Sequence, residues 1–164
     1  ILVSVVTFSL ATQSSYEIVL SGAKTTADIR RPLDAMTADL RNSAPDRVTV
    51  DELAPDWDAV SFQVPVGWNG GGIVWGAEGE AGYRLEYRIE GVGRLVRRVL
   101  DDTGAPVDEI TLARRVDTVR EGAKGFDVEM DDDHCILTLR IRRAQGNKRI
   151  QRQASTTVVL RNAD

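Results

Sequence analysis

Residues Tyr83 to Leu100 read YRLEYRIEGVGRLVRRVL. The first half alternates strictly. Tyr83, Leu85, Tyr87 and Ile89 fall on one side, and Arg84, Glu86, Arg88 and Glu90 on the other. A period of two is the mark of a strand with one buried face, because successive side chains of an extended chain point to opposite sides. Gly91 and Gly93 then form a turn, and Arg94 to Leu100 (RLVRRVL) reads as a strand pairing back. Two such runs joined by a short glycine turn predict an antiparallel hairpin.

The same grammar extends in both directions. Upstream, Arg47 to Leu53 and Asp58 to Val66 read as strands, and GWNGGGIVWG (Gly67 to Gly76) as a glycine-rich turn entering a short apolar strand. Downstream, DDTGAP is a loop and ITLARRV an extended piece. Phe126 to Met130 and Cys135 to Ile141 form a hairpin around DDD, and Gln151 to Leu160 is a last strand after the QGNK turn. Turns at this spacing predict an antiparallel meander, and the missing βαβ alternation gives no sign of a parallel sheet. No internal repeat or low-complexity segment is evident.

Before Pro45 the period changes. Apolar residues recur at Tyr16, Val19, Leu20, Ala23 and Ala27, then at Leu33, Met36 and Leu40. Gaps of three and four place them on one helical face. Pro32 lacks a backbone donor and should kink the helix; Asn42, Ser43 and Pro45 should end it. The front, Ile1 to Ala11, is apolar apart from Ser4, Thr7 and Ser9. It is shorter than the roughly 20 residues a bilayer span requires, and it has neither the basic segment nor the cleavage site of a secretory signal. It reads as the rear of a longer apolar helix. The expected fold is α+β: an N-terminal helix over residues 1–44, with 1–15 as its membrane or filament-core part, packed on an antiparallel β domain over 45–164.

The order of these parts resembles the type IV pilin superfamily, and within it the minor pilins and the J-type minor pseudopilins of type II secretion. The residues carrying the resemblance are Leu33, Asp34, Asp39, Leu40 and Arg41 at the end of the helix, then Val60, Ser61 and Phe62. Tyr87, Arg88 and Ile89 follow, then Leu95, Val96 and Arg97, and finally Leu160, Arg161 and Asn162. The resemblance implies a helix whose front precedes Ile1, and a single N-terminal helix in the bacterial inner membrane with a periplasmic globular domain. It implies later transfer to a filament at the cell surface. It also implies other pilin or pseudopilin subunits as partners.

On that basis Ile1, Leu2, Val3, Val5, Val6, Phe8, Leu10, Tyr16, Val19 and Leu20 are expected to pack in the membrane or filament core. Leu33, Met36 and Leu40 are expected to pack on the sheet, and Trp68 in its glycine loop is a candidate partner contact. The function expected is that of a structural, non-enzymatic minor pilin or pseudopilin that primes or caps assembly; the alternative is a filament-displayed or membrane-anchored binding module, an adhesin or DNA receptor.

The remaining candidates favour plain readings. The net charge of -4 argues against a dedicated nucleic-acid binder, for which a basic face is usual. Asp131, Asp132, Asp133 and His134 are contiguous, so in an extended segment they do not converge on one centre, and they lack the spacing and glycine of a calcium loop. No cofactor is expected, beyond the weak calcium site that the pseudopilin resemblance implies there or around Asp101, Asp102 and Asp108. His134 is the sole histidine and has no triad partners in the pattern. GWNGGG lacks the Lys-Ser/Thr of a phosphate loop. Cys135 is the sole cysteine, which excludes an intrachain disulfide. The arginines of the second half (Arg97, Arg98, Arg114, Arg115, Arg140, Arg142, Arg143, Arg149, Arg152) read as a solvated face paired with acids.

Overall fold

A computed structural model describes residues 26–54, 57–117, 124–145 and 148–161. The described residues are predominantly β, with 62% strand and 15% helical. One α-helix, α1, covers residues 26–40, and a 3-10 turn follows at Pro45–Arg47. The strands are β1 (Val48–Ala54), β2 (Trp57–Phe62), β3 (Val64–Asn69), β4 (Gly72–Ala77), β5 (Glu80–Ala81) and β6 (Arg84–Glu90). They continue with β7 (Arg94–Leu100), β8 (Pro106–Arg114), β9 (Phe126–Asp131), β10 (His134–Gln145) and β11 (Lys148–Val159).

This corrects the expected fold class. In place of a long kinked N-terminal helix on an antiparallel sheet, the described chain has one short helix and a curled, mixed sheet. α1 is assigned without interruption across Pro32. Asp28, Arg30, Arg31 and Asp34 are exposed beside its buried apolar stripe, while Asp39 is only partly exposed and meets the sheet. Among the described residues no helix is long and apolar enough to cross a membrane, so the expected single N-terminal membrane anchor is not supported. The residues assigned that role, Ile1 to Leu20, lie outside the described residues.

Seven strands of the large sheet run in the order β11-β10-β9-β2-β6-β7-β8, and β1 pairs with β2 beside that path. β3, β4 and β5 form a second, small sheet. The central hairpin pairs Leu85 with Val99 and Ile89 with Leu95, as its alternation requires. One pairing is parallel, Trp57 of β2 with Phe126 of β9. The sequence reading of Asp58 to Val66 as one strand is also amended. Gln63 separates β2 from β3, its amide donating to the Arg47 carbonyl and its side chain to the carbonyls of Gly82 and Tyr83.

The segment after β8 draws the sheet into its curl. Val116 bridges Ile141 of β10, its N–H reaches the Gly93 carbonyl at 2.9 Å, and the Asp117 N–H reaches the Arg140 carbonyl at 2.9 Å. Two glycines permit this approach. A Cβ on Gly93 would lie 2.3 Å from the Val116 oxygen, and one on Gly125 would lie 1.6 Å from the Asp117 oxygen. The core fills the concave side: Phe62, Tyr87, Phe126, Leu95, Leu137 and Leu139 are fully buried, with the rings of Phe62 and Tyr87 stacked 5.9 Å apart.

Candidate interaction surface

α1 lies on the concave face. Its C-terminal half sits over β6 and β7, and its N-terminal turns lie between the two outer strands of the sheet. Asp28 and Arg31 border a cleft with Thr111 to Arg115 around the end of β8, while Thr26, Ile29 and Arg30 border another with Arg152 to Ala154 of β11. Ile29, Leu33, Met36 and Leu40 are buried against the core. Leu33, Met36 and Leu40 are the positions that the helical spacing singled out. Ile29, four residues before Leu33 on the same stripe, joins them.

A polar clamp fixes the helix. The Tyr87 hydroxyl donates to Asp39 Oδ2, and Arg97 Nε donates to the same oxygen at 3.0 Å. Arg97 also holds Glu78, in the β4–β5 turn of the small sheet. Burial, reinforced by the bond to Asp39, pushes the Tyr87 phenol well above its ordinary pKa. Burial works against the charge on Arg97, but its bonds to Glu78 and Asp39 outweigh that and raise its pKa. The phenol therefore keeps its proton and the guanidinium its charge, so these two groups hold structure rather than move protons.

A second ion pair ties β2 to β9. Asp58 is 1% exposed, binds Lys124 Nζ at 2.7 Å and accepts the Val128 N–H at 3.0 Å. The bond to Asp58 raises the Lys124 pKa. Burial, and then Asp58, raise that of Asp127. A third group of charges covers the convex face of β6, β7 and β8, where Arg98 bridges Glu90 and Glu109, and Arg94 meets Glu90 at 2.8 Å and Glu109 at 3.2 Å. Burial raises the Glu86 pKa there, against the pull of Arg88 and Arg98. Thus Arg94, Arg97 and Arg98 are paired with acids, while Arg140 bonds the Gln153 side chain.

The acidic clusters of the sequence do not converge. Among the described residues no group of three or more His, Cys, Asp and Glu could hold a metal ion. Asp101 spends one oxygen on its own loop, accepting from the Thr103 amide and hydroxyl and the Ala105 amide; these bonds lower its pKa. His134 pairs with Asp133 at 2.6 Å on the surface. Cys135 is fully buried.

The exposed features are few. Trp68 is 75% exposed near the tip of the β3–β4 hairpin, opposite Ile73. In β8, every residue from Pro106 to Ile110 is exposed. What this arrangement offers chemically is contact: a rigid helix-on-sheet body, an exposed aromatic and open strand edges. Comparisons with family models, with curated proteins and with solved structures found no match.

Proposed function

We propose that this chain is a non-enzymatic structural subunit of a pilin-class filament, of the type IV pilus-like or type II secretion pseudopilus kind, that primes or caps assembly through contacts with other pilin-class subunits. In this reading it works without a cofactor and without nucleic acid. One observation carries the reading. The stretch that bears the resemblance, Leu33 to Arg41, is also the stretch that fastens α1 to the sheet, through buried Leu33 and Leu40 and through Asp39 bonded to Tyr87 and Arg97. A filament subunit needs such a rigid joint, because its helix and its β domain must transmit one orientation to their neighbours.

The test is site-specific photo-crosslinking in cells of the native source, with the cross-linker at Asp34 on α1 and at Trp68. Adducts to other pilin-class subunits are expected. Purified filaments that lack this chain, together with no pilin-class adduct from either position, would remove the reading.

The exposure of Trp68 favours one second reading, a displayed binding module, since a solvent-facing indole is a common anchor of recognition. Retention of the purified chain on DNA-coated and glycan-coated surfaces, with and without Trp68→Ala, measures it. Retention lost in the variant would support this reading, and no retention of either protein would end it.

A further inference from the structure

Among the described residues, the seven-strand path of the large sheet ends in β8, which pairs with β7, and in β11, which pairs with β10, while β1 branches from β2. Unpaired strand edges present rows of free N–H and C=O groups and invite another strand. The edge at β8 is unusually bare, since Pro106 to Ile110 are exposed on both faces of the strand, and Val107 and Ile110 are 54% and 49% exposed.

We propose that β8 and β11 are complementary docking edges through which copies of this chain join head to tail, β8 of one copy pairing antiparallel with β11 of the next. This adds to the subunit reading above but does not depend on it.

Three observations choose a second copy as the occupant. The first is charge. β8 carries Asp108 and Glu109 in its exposed half, whereas the sequence of β11, Lys148 to Val159, includes Lys148, Arg149 and Arg152 and no acid. The second is polarity. Followed through the pairings of the sheet, all antiparallel except β2 with β9, β8 and β11 run in opposite directions. A neighbour in the same orientation therefore presents β11 antiparallel to β8 without being turned over.

The third is side-chain register. Asp108 and Ile110 are opposite Val99 and Arg97, on the concave side of the sheet; Arg152 is opposite Ile141, on that same side. One antiparallel register sets Asp108 against Arg152 and Ile110 against Ile150, an opposite-charge pair and an apolar pair on one face. Because the two edges differ, the contact is heterologous. It leaves one β8 and one β11 free at the ends and can propagate into an open polymer.

The experiment is sedimentation velocity on the purified chain from about 1 μM to about 1 mM, the range of weak association. Asp108→Arg and Arg152→Asp are compared with the double exchange D108R/R152D. Both positions are exposed, so the core is left alone. The wild type is expected to self-associate, and each single exchange to weaken association about tenfold by setting like charges opposite each other. The double exchange restores it, and an equimolar mixture of the two single variants associates again, with the two variants alternating. On the wild type alone, backbone amides of residues 107–110 gain hydrogen-exchange protection as concentration rises.

A wild type that stays monomeric with unprotected β8 amides, or association indifferent to both exchanges, overturns the proposal. Self-association of this kind, with no pilin-class crosslinks and with purified filaments that lack this chain, would leave this proposal standing and remove the filament reading.

Discussion

Tyr87 and Asp39 lie 48 positions apart in the chain, yet the phenol of one donates to the carboxylate of the other across the helix–sheet interface. Arg97, on the neighbouring strand, donates to the same carboxylate oxygen. Because Tyr87 is fully buried, its hydroxyl has no water to turn to. Replacing Tyr87 by Phe removes a hydrogen bond to a charged acceptor and should cost about 1.5–3 kcal/mol. Urea denaturation with an unchanged slope measures this. A loss below about 0.5 kcal/mol, the size of ordinary surface substitutions, would mean that the clamp adds nothing to the apolar contacts.

The curl of the sheet depends on two glycines that only close approach explains. Gly93 adopts φ +75°, and a Cβ there would meet the Val116 carbonyl at 2.3 Å. Gly93→Ala should destabilise by about 2 kcal/mol or more, since it combines backbone strain with a clash against main chain. Gly70→Ala, where a Cβ meets nothing within 4 Å, should stay within about 0.5 kcal/mol of the wild type. Thermal melts of the two variants side by side provide the comparison. Equal melting temperatures would show that the Val116 bridge is dispensable.

Glu86 is held in a half-buried position where desolvation outweighs the nearby arginines, so its pKa is raised above 4.5. For an acid the sign is as follows. Below 4.5 the carboxyl is protonated in both folded and unfolded chains and carries no penalty. As pH rises, the unfolded chain releases its proton first, and folding loses stability until the folded carboxyl also ionises. Glu86→Gln should therefore gain stability relative to the wild type as pH moves from about 4 to about 7. A relative gain in the opposite direction would show that Arg88 and Arg98 dominate the site.

Cys135 is fully buried in β10, and burial lifts its thiol from 9.0 to about 11. The native thiol should be inert to aromatic disulfide reagents at pH 8 and should react only as the chain opens. The raised pKa also predicts that stability falls between pH 9 and about 11, because the unfolded thiol ionises first and folding must then recapture its proton. Stopped-flow labelling in rising urea checks the first point. Cys135→Ala, compared with the wild type across that pH range, checks the second.

The sequence by itself placed most of the strands and the face of the helix. YRLEYRIE and its glycine turn specify β6 and β7 because alternation over one buried face is a local signal that no distant contact needs to supply. The same holds for Leu33, Met36 and Leu40, whose spacing alone gathers them on one side of α1. The tertiary structure decided what the pattern could not. Parallel pairing of Trp57 with Phe126, the Asp58–Lys124 ion pair and the Val116 bridge that closes the curl all join residues far apart in sequence. Their partners are chosen by the packing of the whole sheet. Likewise β8 and β11 are ordinary strands in the sequence, and only the pairing order makes them the two ends of the seven-strand path. Periodicity reports which side of an element is apolar; which element lies against it is settled by long-range closure, where the loss of chain entropy must be met by many contacts at once.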